Sequence, residues 1–299
     1  MSGPASIPPS PPAGIPAGTP VSTATAPRAE APAPGPPRRG RSRKGDRVLF
    51  AYTWLVLVWL FLPIAVMIVF GFNDTKSKSN VSWQGFTFKW WGRLGDYPEL
   101  TGALWNSISI ALIATAVTTA LGTLMGIALG RYRFRGQGAT NLVMFAAISS
   151  PELVMGTSLL SLFISMGVQT GYWTVVIAHV LFSVSFVAVT VRARVVGLDG
   201  SVEEAARDLG ASTWITFWRV TFPMILPGVI SGALLAFALS IDDFVITQFT
   251  SGTTTTFPLW IYGAVRIGVP PQVNILGTLI FAVGVAIAVI NTVTSRRRT

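Results

Sequence analysis

The 299-residue sequence predicts an all-α integral membrane protein with six transmembrane helices. Three observations carry this reading. Half of the residues (51%) are apolar and only 11% are charged, against roughly a quarter charged in ordinary soluble domains, and the mean hydropathy is +0.59. Apolar runs recur that are long enough to cross a bilayer as helices, which takes about 20 residues. Lysine and arginine gather in short clusters between those runs, as they do in the cytoplasmic loops of membrane proteins. They do not form the basic patch or stripe of a nucleic-acid-binding domain, so no nucleic-acid partner is expected.

Taken in order, residues 1–37 form a Pro/Ala/Gly/Ser/Thr tail with little charge and no periodicity. Such a segment cannot bury enough apolar area to offset its ordering entropy, and disorder is expected. It has neither the basic start nor the short apolar stretch of a secretory signal. A basic run follows, Arg38, Arg39, Arg41, Arg43, Lys44 and Arg47, and completes a cytoplasmic tail of 1–47. The long apolar region is 48–294. Its spans are expected at 48–72, 103–130, 140–166, 172–191, 224–248 and 274–294, ahead of a basic tail at 295–299. Pro63 in the first span and Pro151 in the third should kink or open them. Of the 22 lysines and arginines, 17 fall on one side of this arrangement and five (Lys76, Lys78, Lys89, Arg93 and Arg266) on the other. The positive-inside rule then puts both termini in the cytoplasm of a multi-pass protein of the cell (inner or plasma) membrane. Trp83, Trp90, Trp91 and Tyr97, in the outer segment 73–102, suit the lipid-headgroup level.

The 192–223 loop differs from the others in being long, mixed in charge and patterned as two short helices. Ser201 with Glu204 three residues later reads as a capping box opening a helix over 202–209. Gly210 is placed to end it. A second helix is expected over 213–220, capped by Ser212 and stopped by Pro223. This pattern fits a lever pressed by a soluble partner and a plain structured loop equally well.

Glu204-Ala205-Ala206, three residues, Gly210, nine residues and Val220-Thr221-Phe222-Pro223 resemble the EAA loop of ABC importer permeases, with Val and Phe in place of Ile and Leu. Three further stretches, Ser150-Pro151-Glu152-Leu153-Val154-Met155-Gly156, Ser240-Ile241-Asp242-Asp243-Phe244-Val245-Ile246 and Pro258-Leu259-Trp260-Ile261-Tyr262, are similar to the spermidine/putrescine permeases of the PotC/PotI type. The resemblance covers roughly 48–294 and excludes the proline-rich tail. It implies a type I ABC importer permease fold, translocation of polyamines into the cytoplasm by alternating access, and ATPase coupling through Glu204, Ala205, Ala206 and Gly210 in a loop of about 201–223. It also implies the partners: a second permease subunit, two cytoplasmic ATP-binding subunits and an extracytoplasmic substrate-binding protein.

Charges inside a span cost about 2.5–3.5 kcal/mol each at the helix centre, so each needs a reason. At 1.5 Å per residue, Glu152 lies ~18 Å and Asp242 and Asp243 ~27–29 Å above the cytoplasmic starts of their spans. A pathway lined by these carboxylates suits a polycation, whose ammonium groups need compensating charge as they lose water. Glu152 also fits a second role, satisfying backbone groups freed at Pro151. Asp242 and Asp243 point about 100° apart on a helix, so one is expected to face the pathway and the other to cap a helix end or a gate. The intramembrane His179 reads as a packing residue.

No G-x-x-x-x-G-K-[ST] phosphate loop occurs, and no nucleophile–base pair stands out, so the energy for transport must come from another subunit. The absence of cysteine excludes disulfides, thiol catalysis and cysteine-built metal sites. With one histidine, neither a metal nor a cofactor is expected. The alternatives are an ABC permease for another small solute and, as a rival class, a self-contained secondary transporter or channel using the three acids as ion or proton sites. The rival class would show inverted repeats, and none is legible.

Overall fold

The computed structural model describes residues 43–296. The tail 1–37, Arg38, Arg39 and Arg41 of the basic run, and Arg297 and Arg298 lie outside the described residues. The described chain is helical, with an isolated antiparallel bridge between Asn73 and Phe86 and no β-strand. It divides into two units, Met1–Leu55 and Val56–Thr299. The first contributes the opening turns of α1 (Arg43–Phe70), which runs unbroken through Pro63. The remaining elements belong to the second unit.

Helix α2 (Pro98–Arg131) begins with proline in its first turn, where the missing N–H is an orphan in any case. The expected third span is two helices, α3 (Gln137–Ser149) and α4 (Glu152–Ser165), meeting at 109°. The break falls at Ser150, held in extended backbone (φ −69°, ψ 134°) as residues before proline are. Helix α5 (Tyr172–Val196) follows, then α6 (Ser201–Asp208) and α7 (Thr213–Thr216). Pro223 does not stop the chain, contrary to expectation. A π-helical segment over Phe217–Thr221 leads directly into α8 (Phe222–Ile241). Pro223 sits in the first turn of α8, where the wider π-turn has already displaced the regular i→i−4 ladder that a proline would break. The expected fifth span also ends earlier, at Ile241. Asp242 to Phe244 form a break before the short α9 (Val245–Thr250), and α10 (Phe257–Ile267) and α11 (Pro271–Arg296) complete the described chain. Among the described residues four helical stretches are long and apolar enough to cross a membrane, and the bent α3–α4 pair makes a fifth if it is one span.

The centre of the second unit is α2, α5 and α8, which pack on one another. Val187, Val191 and Val195 of α5 and Ile225, Val229 and Ala236 of α8 form the largest buried cluster. The α2–α5 seam is built from small residues at every fourth position, Gly122, Gly126 and Gly130. A Cβ at Gly126 would lie 2.8 Å from the Ala188 carbonyl oxygen, and at Gly130 2.8 Å from Val195 Cγ1. Close backbone approach of this kind drives association where lipid removes the hydrophobic incentive.

Candidate functional site

The break between α8 and α9 is held by a buried polar network centred on Asp243. The Asp243 carboxylate accepts from the backbone N–H of Thr247 (2.8 Å) and of Ile246 (3.4 Å), which are donors left open at the start of α9. The Thr247 hydroxyl donates to the same carboxylate at 2.7 Å. That hydroxyl therefore accepts on its other side, 2.9 Å from His179 Nε2. In the neutral ring Nε2 carries the proton, and Nδ1 accepts from the Ser240 hydroxyl at 2.7 Å. Nε2 also lies 3.3 Å from Asp243 Oδ2. All four side chains are buried, with His179 2% and Asp243 8% exposed. The network thus pins α5 to both sides of the helix break with its donors and acceptors matched, as buried polar groups require. Sequence reasoning took His179 as packing alone. The partners that reveal its role lie some sixty residues away in the chain.

Asp242 faces elsewhere. It is exposed and lines a cavity of about 450 Å³ with Leu104, Ser107, Phe244, Phe257 and Tyr262. The wall is mainly apolar and aromatic: Phe244 and Tyr262 pack with ring centroids 4.7 Å apart. The Arg266 guanidinium lies 4.8 Å from the Tyr262 ring centroid and donates to its hydroxyl at 2.6 Å. Helix α10 divides this cavity from another of about 550 Å³, whose wall includes Tyr97, Glu99 and Trp260. A carboxylate on an open wall that also carries aromatic rings can take an ammonium group by charge, with the ring faces nearby.

Glu152 opens α4 directly after Pro151, whose carbonyl accepts from Val154 and Met155. Its side chain is exposed and bonds no group among the described residues, so the geometry gives it no part in repairing the backbone at the break. One turn on, Gly156 lets α4 approach α9, where a Cβ would meet Phe249 at 2.8 Å. The structure therefore brings α4 to the α8–α9 region and leaves Asp242 and Glu152 as carboxylates without side-chain partners among the described residues, while Asp243 is fully engaged.

The 201–223 segment forms a separate site. Helix α6 ends in a complete left-handed cap. Gly210 has φ +85°, its N–H bonds to the Arg207 carbonyl (2.8 Å), and the Ala211 N–H bonds to the Ala206 carbonyl (3.1 Å). The expected capping box is absent. Ser201 lies inside the helix, its N–H donates to Asp199 Oδ1 at 3.0 Å, and no side chain caps from Gly200. This bond, and the Ser201 hydroxyl after it, hold the Asp199 carboxyl below its usual range. Ser212 caps α7 as expected, accepting from the Ile215 N–H at 3.4 Å. Glu204 and Ala205 are exposed and Ala206 half-buried. Leu209 (90%) and Trp214 (70%) stand out beside them. The glutamate that turns inward is Glu203, paired with Arg131 and Thr221.

Comparison with known proteins shows the family to which these elements belong. Residues 122–296 match the family described as binding-protein-dependent transport system inner membrane component. The chain is 38% identical over 248 residues to the spermidine/putrescine transport system permease protein PotC of Haemophilus influenzae, covering 83% of this chain and 96% of that one. It is 39% identical over 240 residues to the putrescine transport system permease protein PotI of Escherichia coli K12, covering 77% and 85%. In fold it is similar to a chain of a bacterial ABC transporter involved in the import of the acidic polysaccharide alginate, with TM-score 0.61 and 16% identity over 87% of this chain and 99% of the other. With the matched segment running from the glycine seam of α2 through α6, the α8–α9 break and α11, this chain belongs to the binding-protein-dependent inner membrane component family of transport proteins.

Proposed function

We propose that this chain is the permease subunit of an ATP-binding-cassette importer that carries polyamines, spermidine or putrescine, into the cytoplasm by alternating access. The observation that supports the cargo class is Asp242, an unpartnered carboxylate on an aromatic-walled cavity at a helix break. The identity to polyamine permeases over most of the chain points the same way. Asp242 is the ammonium-binding group of this reading, Glu152 a second carboxylate along the pathway, and Asp243 the residue that fixes the break from which Asp242 projects. Six spans with both termini cytoplasmic complete it, α3–α4 serving as the third and α11 as the sixth.

Glu204, Ala205, Ala206 and Gly210 form the contact with a cytoplasmic ATPase. The two alanines admit a close partner surface, Glu204 is free to pair with it, and Leu209 and Trp214 supply apolar contact. A second permease subunit, two ATP-binding subunits and an extracytoplasmic binding protein complete the assembly. Membership of the family leaves a self-contained secondary carrier without support.

The test is uptake into proteoliposomes containing the full complex, with binding protein and ATP supplied. Spermidine and putrescine should accumulate, whereas neutral and anionic solutes of similar size should not. ATP-dependent uptake of a neutral or anionic solute in preference to the diamines would reject the cargo assignment.

A further inference from the structure

Glu203 grips two helices at once. Arg131, the last residue of α2, donates two parallel bonds to its carboxylate at 2.5 and 2.7 Å. Thr221, at the end of the π-helical segment, donates to Glu203 Oε1 at 2.5 Å. The Arg131 and Glu203 side chains are only 24% and 12% exposed. Salt and water therefore screen the pair less than a surface ion pair. A bidentate fork sets orientation as well as distance, and the threonine bond removes the remaining freedom to pivot. The adjacent Glu204 is exposed and without a bonded partner among the described residues. Consecutive glutamates, about 100° apart on the helix, thus divide into one facing outward and one facing the body of the protein.

Both gripped helices lead to the transport cavity. From Thr221, α8 runs about 30 Å, at 1.5 Å per residue, to Ile241 and Asp242. From Arg131, α2 runs back about 36 Å by the same rise to Ser107, with Leu104 beyond it. Ile241, Asp242, Ser107 and Leu104 all line the 450 Å³ cavity. Coupling between distant sites travels through rigid elements joined by specific contacts, and Glu203 is the contact at which α6 meets both.

We infer that Glu203, through Arg131 and Thr221, is the positioning residue that transmits movement of α6 to the cavity walls on α2 and α8. The inference rests on the proposed role of 201–223 in ATPase coupling. It assigns that segment two separable functions: docking by the exposed face around Glu204, and transmission by the sheltered fork at Glu203. Without the fork, the ATPase still docks and hydrolyses, but the cavity no longer follows.

The experiment measures polyamine transported per ATP hydrolysed, together with retention of the ATPase subunits, in the reconstituted complex. Arg207 borders the same small cavity, so Glu203→Arg alone adds repulsion. The first variants are therefore Glu203→Gln and the near-isosteric Thr221→Val, which settles the matter if the former does not fold. Both should keep the ATPase bound and active while transport per ATP falls at least about fivefold, the low end of inter-site coupling. Exchanging the charges, Glu203→Arg with Arg131→Glu, should recover part of the ratio relative to either reversal alone. An unchanged ratio in Glu203→Gln and Thr221→Val overturns the inference. So does loss of the ATPase from both, which would make the fork part of the docking surface. If the unsubstituted complex binds no ATPase, the coupling role of the whole segment falls and the inference with it.

Discussion

Asp243 receives three donors in its capping role, from Ile246, Thr247 and the Thr247 hydroxyl, and a fourth approaches from His179. Asparagine at this position must turn an NH2 group toward at least one of those donors. A buried polar group left unpaired costs about 1–3 kcal/mol, so Asp243→Asn should lower the thermal midpoint and the membrane level of the protein. Asp242→Asn has no such consequence, because Asp242 bonds nothing in the cavity wall. It should leave folding intact. Uptake at sub-saturating polyamine should fall roughly ten- to a hundredfold, since a hydrogen bond to a charged group contributes about 1.5–3 kcal/mol. Assaying both at matched membrane levels separates electrostatics from packing. Normal uptake by Asp242→Asn would remove this carboxylate from the pathway. The sequence shows two adjacent acids that cannot face the same way, but it does not show which one is free. That choice is made by His179, delivered from α5 by tertiary packing.

At the scale of elements, the helix–glycine–helix pattern of the 201–223 segment was legible because its signals are local. Gly210 takes the positive φ expected of it, Ser212 caps α7, and α6 starts and ends one residue earlier than the pattern suggests. Gly210→Val forces a β-branched side chain into the left-handed region, at a cost of about 1–2 kcal/mol. Weaker ATPase retention with normal membrane insertion is expected, read by co-purification. What failed was the cap. Asp199, two residues before Ser201, presents a carboxylate where the serine hydroxyl was expected, and hydrogen bonds to a charged acceptor are the stronger. Its folded pKa is depressed below 3.8, so the cap is fully present above the ordinary carboxylate range and is lost as pH falls through the lower folded value. Amide exchange in α6, corrected for intrinsic rate, should therefore show no change in protection between about pH 5 and 8. Asp199→Ala should deprotect the first turn, whereas Ser201→Ala, which keeps the backbone N–H, should have the smaller effect. The glycine seam of α2 shows no local signal beyond its spacing, since its meaning depends on which helix lies opposite. Gly126→Ala brings a methyl group to 2.8 Å from the Ala188 carbonyl oxygen and should destabilise the α2–α5 pair by about 1–3 kcal/mol. Gly138→Ala, whose Cβ meets nothing within 4 Å, is the matched control in thermal unfolding.

For the whole molecule, hydropathy and charge distribution located the apolar helices, while the breaks within them came from side chains that a hydropathy window averages away: Pro151, Asp242 and Asp243. The geometry of the second unit gives the charge pattern a physical basis. At one end of α2, Glu203 accepts from both Arg131 and Thr221, which gathers the 131–135 and 192–223 loops there. At the other end Asn106 bonds to the Thr255 carbonyl (2.9 Å) and the Phe257 N–H to Ser107 (2.8 Å). The Asn80 N–H bonds to the Val269 carbonyl at 2.9 Å, and Gln272 donates to the Arg93 carbonyl at 3.4 Å. The segments holding the five minority cations are thus tied to one another, apart from the 131–135 and 192–223 segments. If the arginine-rich end is cytoplasmic, as the positive-inside rule requires, reporters fused within 131–139 and 192–223 should report the cytoplasm. A reporter after residue 85 should report the opposite side. A fusion between α3 and α4 is the most informative, because a 109° bend fits either a broken span or a re-entrant loop. In a broken span, residues 137 and 170 face opposite sides, and accessibility labelling of single cysteines at those positions, in a chain that has no cysteine of its own, should give opposite results. Equal labelling from one side would make α3–α4 re-entrant and reduce the number of spans below six.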